Sequence, residues 1–138
     1  MNRLVQWAIV GALALGAAGC ADDDDEAPII VVPRDFGSLT TEWSIFGRLD
    51  PLDCADVGAD RFELLIYDDF GVFFTEAEAP CEALTLTVDL PAGRFSADAT
   101  LVDGFDGAVS TTTTLDALDI IVDTDLVVSV DFPPGSIL

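Results

Sequence analysis

From Gly37 onward, apolar and polar residues alternate with a period of two, the pattern of strands with one buried face. Leu39, Thr41, Trp43 and Ile45 point one way, and Thr40, Glu42 and Ser44 the other. Phe62, Leu64 and Ile66 alternate with Arg61, Glu63 and Leu65. Leu84, Leu86, Val88 and Leu90 alternate with Thr85, Thr87 and Asp89. The same holds for Phe95, Ala97, Ala99 and Leu101, and for Leu126, Val128, Val130 and Phe132. Weaker strands are expected over 72–75, 109–115 and 118–122. Asp68-Asp69-Phe70-Gly71, Pro91-Ala92-Gly93 and Asp103-Gly104-Phe105-Asp106-Gly107 carry turn chemistry between the runs. One turn of helix fits Cys54–Gly58, and no longer helical pattern follows residue 20. Short strands at this spacing predict an all-β domain over residues 37–138, a single seven- to eight-stranded antiparallel β-sandwich.

The N-terminal quarter, residues 1–36, reads differently. Arg3 precedes an apolar run from Leu4 to Ala18, interrupted by a polar side chain only at Gln6. The run falls short of the roughly 20 apolar residues of a membrane span and suits the core of a secretory signal over residues 1–19. Ala17-Ala18-Gly19 then leads into Cys20, as in a lipobox, although Ala17 stands where a branched residue is usual. Acylation of Cys20 is the expectation; ordinary cleavage that leaves Cys20 unmodified is the alternative. Asp22-Asp23-Asp24-Asp25-Glu26 repels itself, and Pro28 and Pro33 stiffen the chain beyond it, so residues 20–36 are expected to be a disordered acidic tether. Fully extended, it would reach about 50 Å.

The chain has three cysteines. If Cys20 carries lipid, Cys54 and Cys81 are free to pair, and export favours a bridge over two buried thiols. A loop of that length stabilises a fold by about 3 kcal/mol in the chain-entropy model. Trp43 is expected in the core beside such a bridge.

Charge narrows the partners. The formal net charge is −21, and all 26 acidic residues lie beyond Cys20 against Arg34, Arg48, Arg61 and Arg94. That surface repels nucleic acid and anionic headgroups. There is no histidine, no lysine, and no amide side chain beyond Asn2 and Gln6. Ser-His-Asp catalysis, histidine metal sites and Schiff-base chemistry therefore lack their residues.

The order of motifs resembles a lineage of exported domains in myxobacterial and related deltaproteobacterial lipoproteins. The residues that carry the likeness are Leu39-Thr40-Thr41-Glu42-Trp43, Cys54-Ala55-Asp56-Val57-Gly58-Ala59, the strand Arg61–Ile66, Pro80-Cys81 and Leu90-Pro91-Ala92-Gly93-Arg94-Phe95. The last of these also resembles the strand-turn-strand of prealbumin-like and carboxypeptidase-regulatory-like sandwiches, with Arg94-Phe95 in place of the usual pair. The resemblance implies an Ig-like or prealbumin-like form of the sandwich, export and a Cys54–Cys81 bridge, and no activity. The Lys–Asn crosslinks of some pilin-type sandwiches have no lysine to form from here.

Candidate ligand chemistry is confined to oxygen. Asp103 with Asp106, and Asp123 with Asp125, are the calcium candidates, followed by Asp68 with Asp69 and Asp116 with Asp119. None matches the D-x-[DN]-x-[DN]-G loop, and aspartate also serves turns by capping backbone. No carboxylate pair is marked as glycosidase machinery, and Trp43 and Tyr67 are the residues a sugar platform would use. The reading is a non-enzymatic lipoprotein with a structural or recognition module, held on a membrane by its N-terminal lipid, and outer-membrane by resemblance because Ala21 follows Cys20. It requires no cofactor. A calcium- or glycan-binding adhesion or envelope-assembly domain is the alternative, with an envelope protein or glycan as partner and no role for nucleic acid.

Overall fold

The computed structural model describes residues 35–138. The expected signal sequence, Cys20 and the expected tether up to residue 34 lie outside the described residues. The chain runs β1 (Phe36–Ile45), α1 (Leu52–Val57), β2 (Arg61–Asp68), β3 (Phe73–Pro80), β4 (Thr85–Pro91), β5 (Gly93–Val102), β6 (Thr113–Ile120) and β7 (Asp125–Phe132). β1 thus opens at Phe36, one residue before the alternation read from the sequence begins.

Seven strands form two sheets, in the orders β4-β1-β7 and β3-β2-β5-β6. Their inner faces share one core. Leu39, Thr41, Trp43 and Ile45 of β1 are fully buried, as are Phe62, Leu64 and Ile66 of β2 and Ala97, Ala99 and Leu101 of β5. Each is a member of an alternating set read from the sequence. Burying a large apolar side chain contributes about 1.5–3 kcal/mol, so the central strands β1, β2 and β5 supply much of the drive. In β4 and β7 the inward residues Leu86, Val88, Leu126 and Val128 are only half-buried, because each strand is paired on one side alone.

Two expectations are corrected by the sheet order. The arrangement is not wholly antiparallel: β1 pairs β7 in parallel, with Leu39 opposite Leu126 and Trp43 opposite Val130. A parallel pair needs a long connection, and the whole domain between β1 and β7 supplies it. Nor is the division of strands immunoglobulin-like. That fold places its first, second, fourth and fifth strands in one sheet, whereas here β1, β4 and β7 share a sheet.

Two boundaries also move. β3 runs on through Glu76-Ala77-Glu78-Ala79 to Pro80. The two weak strands expected over 109–115 and 118–122 are one strand, β6, with a bulge. Phe95 faces Leu118 and Ala97 faces Leu115, so Asp116 and Ala117 together oppose Ser96. Ala117 takes a left-handed φ of 56° there, the local distortion such an extra residue brings.

Candidate functional site

The most constrained part of the domain is the bridge between α1 and the chain after β3. Pro51 precedes α1, and Gly58 ends it at φ 76°, its N–H reaching the carbonyls of Ala55 and Cys54. Glycine suits that left-handed cap. The helix is pinned by a Cys54–Cys81 disulfide with a Cα–Cα distance of 5.9 Å and a sequence separation of 27. The bridge expected from the cysteine count and the resemblance is thus present. Trp43 lies against it, its Nε1–H donating to the Cys81 carbonyl at 3.0 Å. With no exposed surface, Trp43 serves the core and cannot form a sugar platform. Tyr67 is half-buried and meets Phe73 edge-on at 6.2 Å.

The aspartates considered for calcium fall into separate places. Asp103 closes its loop on itself: Oδ1 accepts the N–H groups of Phe105 and Gly107, both at 2.8 Å. Those bonds, Gly107 first, hold its carboxyl below the usual range because they favour the ionised form. Asp106, at φ 63°, pairs with Arg61. Asp68 repeats the Asp103 device, Oδ1 accepting from Phe70 and Val72 at 2.9 Å. Asp119 pairs with Arg94 at 2.9 Å, and Asp116 sits in the β6 bulge. Asp123 and Asp125 flank Thr124 beside a groove of about 390 Å³ lined also by Phe36, Ser38 and Asp89. Asp125 Oδ1 accepts from Ser38 at 2.8 Å and Thr40 at 2.9 Å. Among the described residues no three carboxylates or thiols converge as a metal centre would require.

The three described arginines are all engaged. Besides the pairs above, Arg48 meets Asp53 at 2.6 Å, and Asp53 is buried. Arg61 also approaches Glu78 at 3.8 Å. On the outer face of the four-stranded sheet, Glu63 lies directly opposite Glu78. Burial first, then the charges of Glu76 and Glu78, push the Glu63 carboxyl up from its ordinary value.

The alternation pattern does not reveal two exposed aromatics. Phe70 is 89% exposed and Phe105 94%. Each stands two residues after the aspartate that clamps its turn, so Asp-x-Phe within a turn was the available signal. Beside Phe70 runs a groove of about 440 Å³, lined by Asp69, Arg94, Phe95 and Ser96 among others.

No known protein-family model matches this chain, and no curated protein matches it significantly. Several solved structures are similar in part. A leucine-rich repeat protein from Bacteroides thetaiotaomicron aligns over 72% of this chain and 12% of its own, with 13% identity and a TM-score of 0.47. A protein from the same organism, provisionally described as polysaccharide-binding, aligns over 67% of this chain and 46% of its own, with 13% identity and a TM-score of 0.39. The Bacillus anthracis TIE protein aligns over 70% of this chain and 17% of its own, with 15% identity and a TM-score of 0.41. The chain spans less than half the length of each. Likeness at this level reaches no further than the β-rich fold.

Proposed function

We propose that this chain is an exported lipoprotein whose β-sandwich is a non-enzymatic surface module, structural or recognitional, held on a membrane by acylated Cys20. The observation that carries the reading is the Cys54–Cys81 disulfide. A structural disulfide fits an oxidising compartment, and it commits two of the three cysteines to each other. Cys20, preceded by Ala17-Ala18-Gly19, then has no cysteine partner within its own chain, which suits a thiol destined for lipid. Several acyl chains give lasting attachment where one would be marginal.

The prealbumin-like form of the sandwich is the one this reading adopts. It is supported by the exclusion of the immunoglobulin division and by the place of Leu90-Pro91-Ala92-Gly93. That motif, which carries the resemblance, makes the crossover from β4 in one sheet to β5 in the other.

The surface chemistry fits recognition better than turnover. Carboxylates dominate, the described arginines are paired with them, and Asp68 and Asp103 are spent on the backbone N–H groups of their own turns. The test is the intact mass of the mature protein extracted from its native envelope. A mass that begins at Cys20 and includes acyl groups is expected. A chain beginning at Cys20 or elsewhere with an unmodified thiol overturns the anchor.

A further inference from the structure

A run of exposed apolar side chains, Phe70, Val72, Phe73 and Phe74, lies on and just after the β2–β3 turn, at the end of the domain where the chain enters it. Asp35 and Phe36 open β1 at that end. The Ala92 N–H donates to the Asp35 carbonyl at 2.7 Å, and the Asp123 N–H to the Phe36 carbonyl at 2.9 Å. The β4–β5 crossover and the β6–β7 turn therefore border the entry point. The register of β2 on β5 sets Asp68 opposite Phe95, which brings the β2–β3 turn to the same end.

That turn exposes Phe70, Val72 and Phe73, at 89%, 60% and 55%, and the β6–β7 turn exposes Ile121 at 61%. The hairpin is stiff: Asp68 clamps the Phe70 and Val72 amides, and Phe73 rests edge-on against Tyr67. The far end also exposes Leu49, Leu52, Phe105 and Leu138, but on three separate segments. Exposed apolar side chains gathered on one turn suit a contact, and phenylalanine and other large apolar side chains enter the boundary between headgroups and acyl chains.

We propose that this end of the domain rests on the bilayer that holds the anchor. The Phe70–Phe73 hairpin tip and the Ile121 turn enter the headgroup region of an electrically neutral, zwitterionic lipid surface. The inference rests on acylation of Cys20, because the chain leading back to Cys20 leaves from this end. The tether turns the contact into an intramolecular event with a high effective concentration, so a few rings suffice where a free domain would not bind. Asp68, Asp69 and Asp123 stand among the apolar groups and exclude an anionic surface.

The test uses the full mature acylated protein on phosphatidylcholine vesicles with brominated acyl chains. The reporters are F70W and, at the far end, F105W; both positions are exposed, and Trp43 is a common buried background. F70W emission should shift to the blue and be quenched by bromine, and F105W emission should not. Added phosphatidylglycerol should weaken the F70W response at low salt. Flotation with the vesicles but no quenching at position 70 overturns the contact and leaves the anchor standing. Failure to float overturns both. A blue shift that grows with protein concentration without bromine quenching assigns the patch to a second copy of the chain and also overturns the proposal, as does stronger binding to anionic lipid.

Discussion

Trp43 and Phe62 lie ring upon ring, 4.0 Å between centroids and 1° between planes, although they belong to different sheets. Phe132 meets Phe62 edge-on at 6.4 Å, so one aromatic column joins β1, β2 and β7. The Trp43 indole also reaches the disulfide through Cys81, so sheet packing and the covalent bridge meet at one side chain. Trp43→Ala should destabilise the oxidised domain by about 3–5 kcal/mol. Trp43→Phe keeps a ring but loses the Nε1–H bond, a net loss of about 0.5–1.5 kcal/mol beyond the volume change. The Cys81 carbonyl still accepts from the Leu84 N–H at 3.2 Å, which keeps that figure small. Urea unfolding of the oxidised variants measures both. Equal losses for the two would mean that the indole N–H, not the stack, dominates.

Thr41 is the polar member of the buried face of β1. It is fully buried, and its Oγ1 has no hydrogen-bond partner among the described residues. An unsatisfied buried hydroxyl carries a desolvation penalty of about 1–3 kcal/mol. Thr41→Val keeps the β-branched shape that a strand favours and removes that penalty. The variant should melt higher than the parent, with an unchanged dependence of unfolding free energy on urea. A lower melting temperature would show that the hydroxyl has a partner in solution.

How far the fold was legible depends on where each strand sits. β1, β2 and β5 were readable because each is central and buries every second residue. The extension of β3 was hidden because its inward residues are Ala77 and Ala79, which carry little apolar signal and little strand propensity. The gap expected between residues 115 and 118 was real in the pattern but is a bulge rather than a turn, because two residues of one strand change the period without ending the pairing. The parallel β1–β7 pair had no local trace, since alternation fixes which face is buried and not which strand lies alongside. Among candidate site residues, Asp68, Asp103, Asp106 and Asp123 stand in or beside turns as expected, whereas Asp116 and Asp119 lie within β6. The work of Asp68 and Asp103 on backbone amides depends on loop geometry, as does the exposure of Phe70 and Phe105.

Glu63 offers a test of the acidic face. Its carboxyl is raised by burial and by Glu76 and Glu78, so the fold favours the protonated form. The stability associated with that form is fully present below the ordinary glutamate value, about 4.3, and is lost as pH rises through the higher folded value. Glu63→Gln should therefore stabilise the domain at neutral pH, by about 0.2–1 kcal/mol for relief of a like-charge cross-strand pair. The advantage should fade as pH falls to 4 and below, where wild-type Glu63 is itself neutral (about 4.3 being its unperturbed midpoint). Thermal melts of both proteins across that window at low salt give the comparison. A constant difference at all pH values would mean that the gain is not electrostatic.

Asp103 has the opposite sign. The Gly107 and Phe105 amides hold its carboxyl below the ordinary range, so the fold favours the ionised form. Its contribution is fully present above the unfolded value, about 3.9, and is lost as pH falls through the lower folded value. Asp103→Ala removes the acceptor for both amides and should lower the melting temperature at neutral pH. The difference should then shrink in strong acid, once Asp103 is protonated in both folded and unfolded chains, to the part that a neutral carbonyl acceptor retains. Asp103→Asn separates the two parts of the effect. Its side-chain carbonyl can accept the same N–H groups, at 2.8 Å in the parent, but carries no charge and no proton equilibrium in this range. It should retain part of the loop's stability and lose the dependence on pH. The general acid response of so acidic a chain is common to all three proteins, so the differences between their melting curves isolate this one turn. If Asp103→Ala and Asp103→Asn lose equal stability at neutral pH, charge rather than geometry holds the loop that presents Phe105.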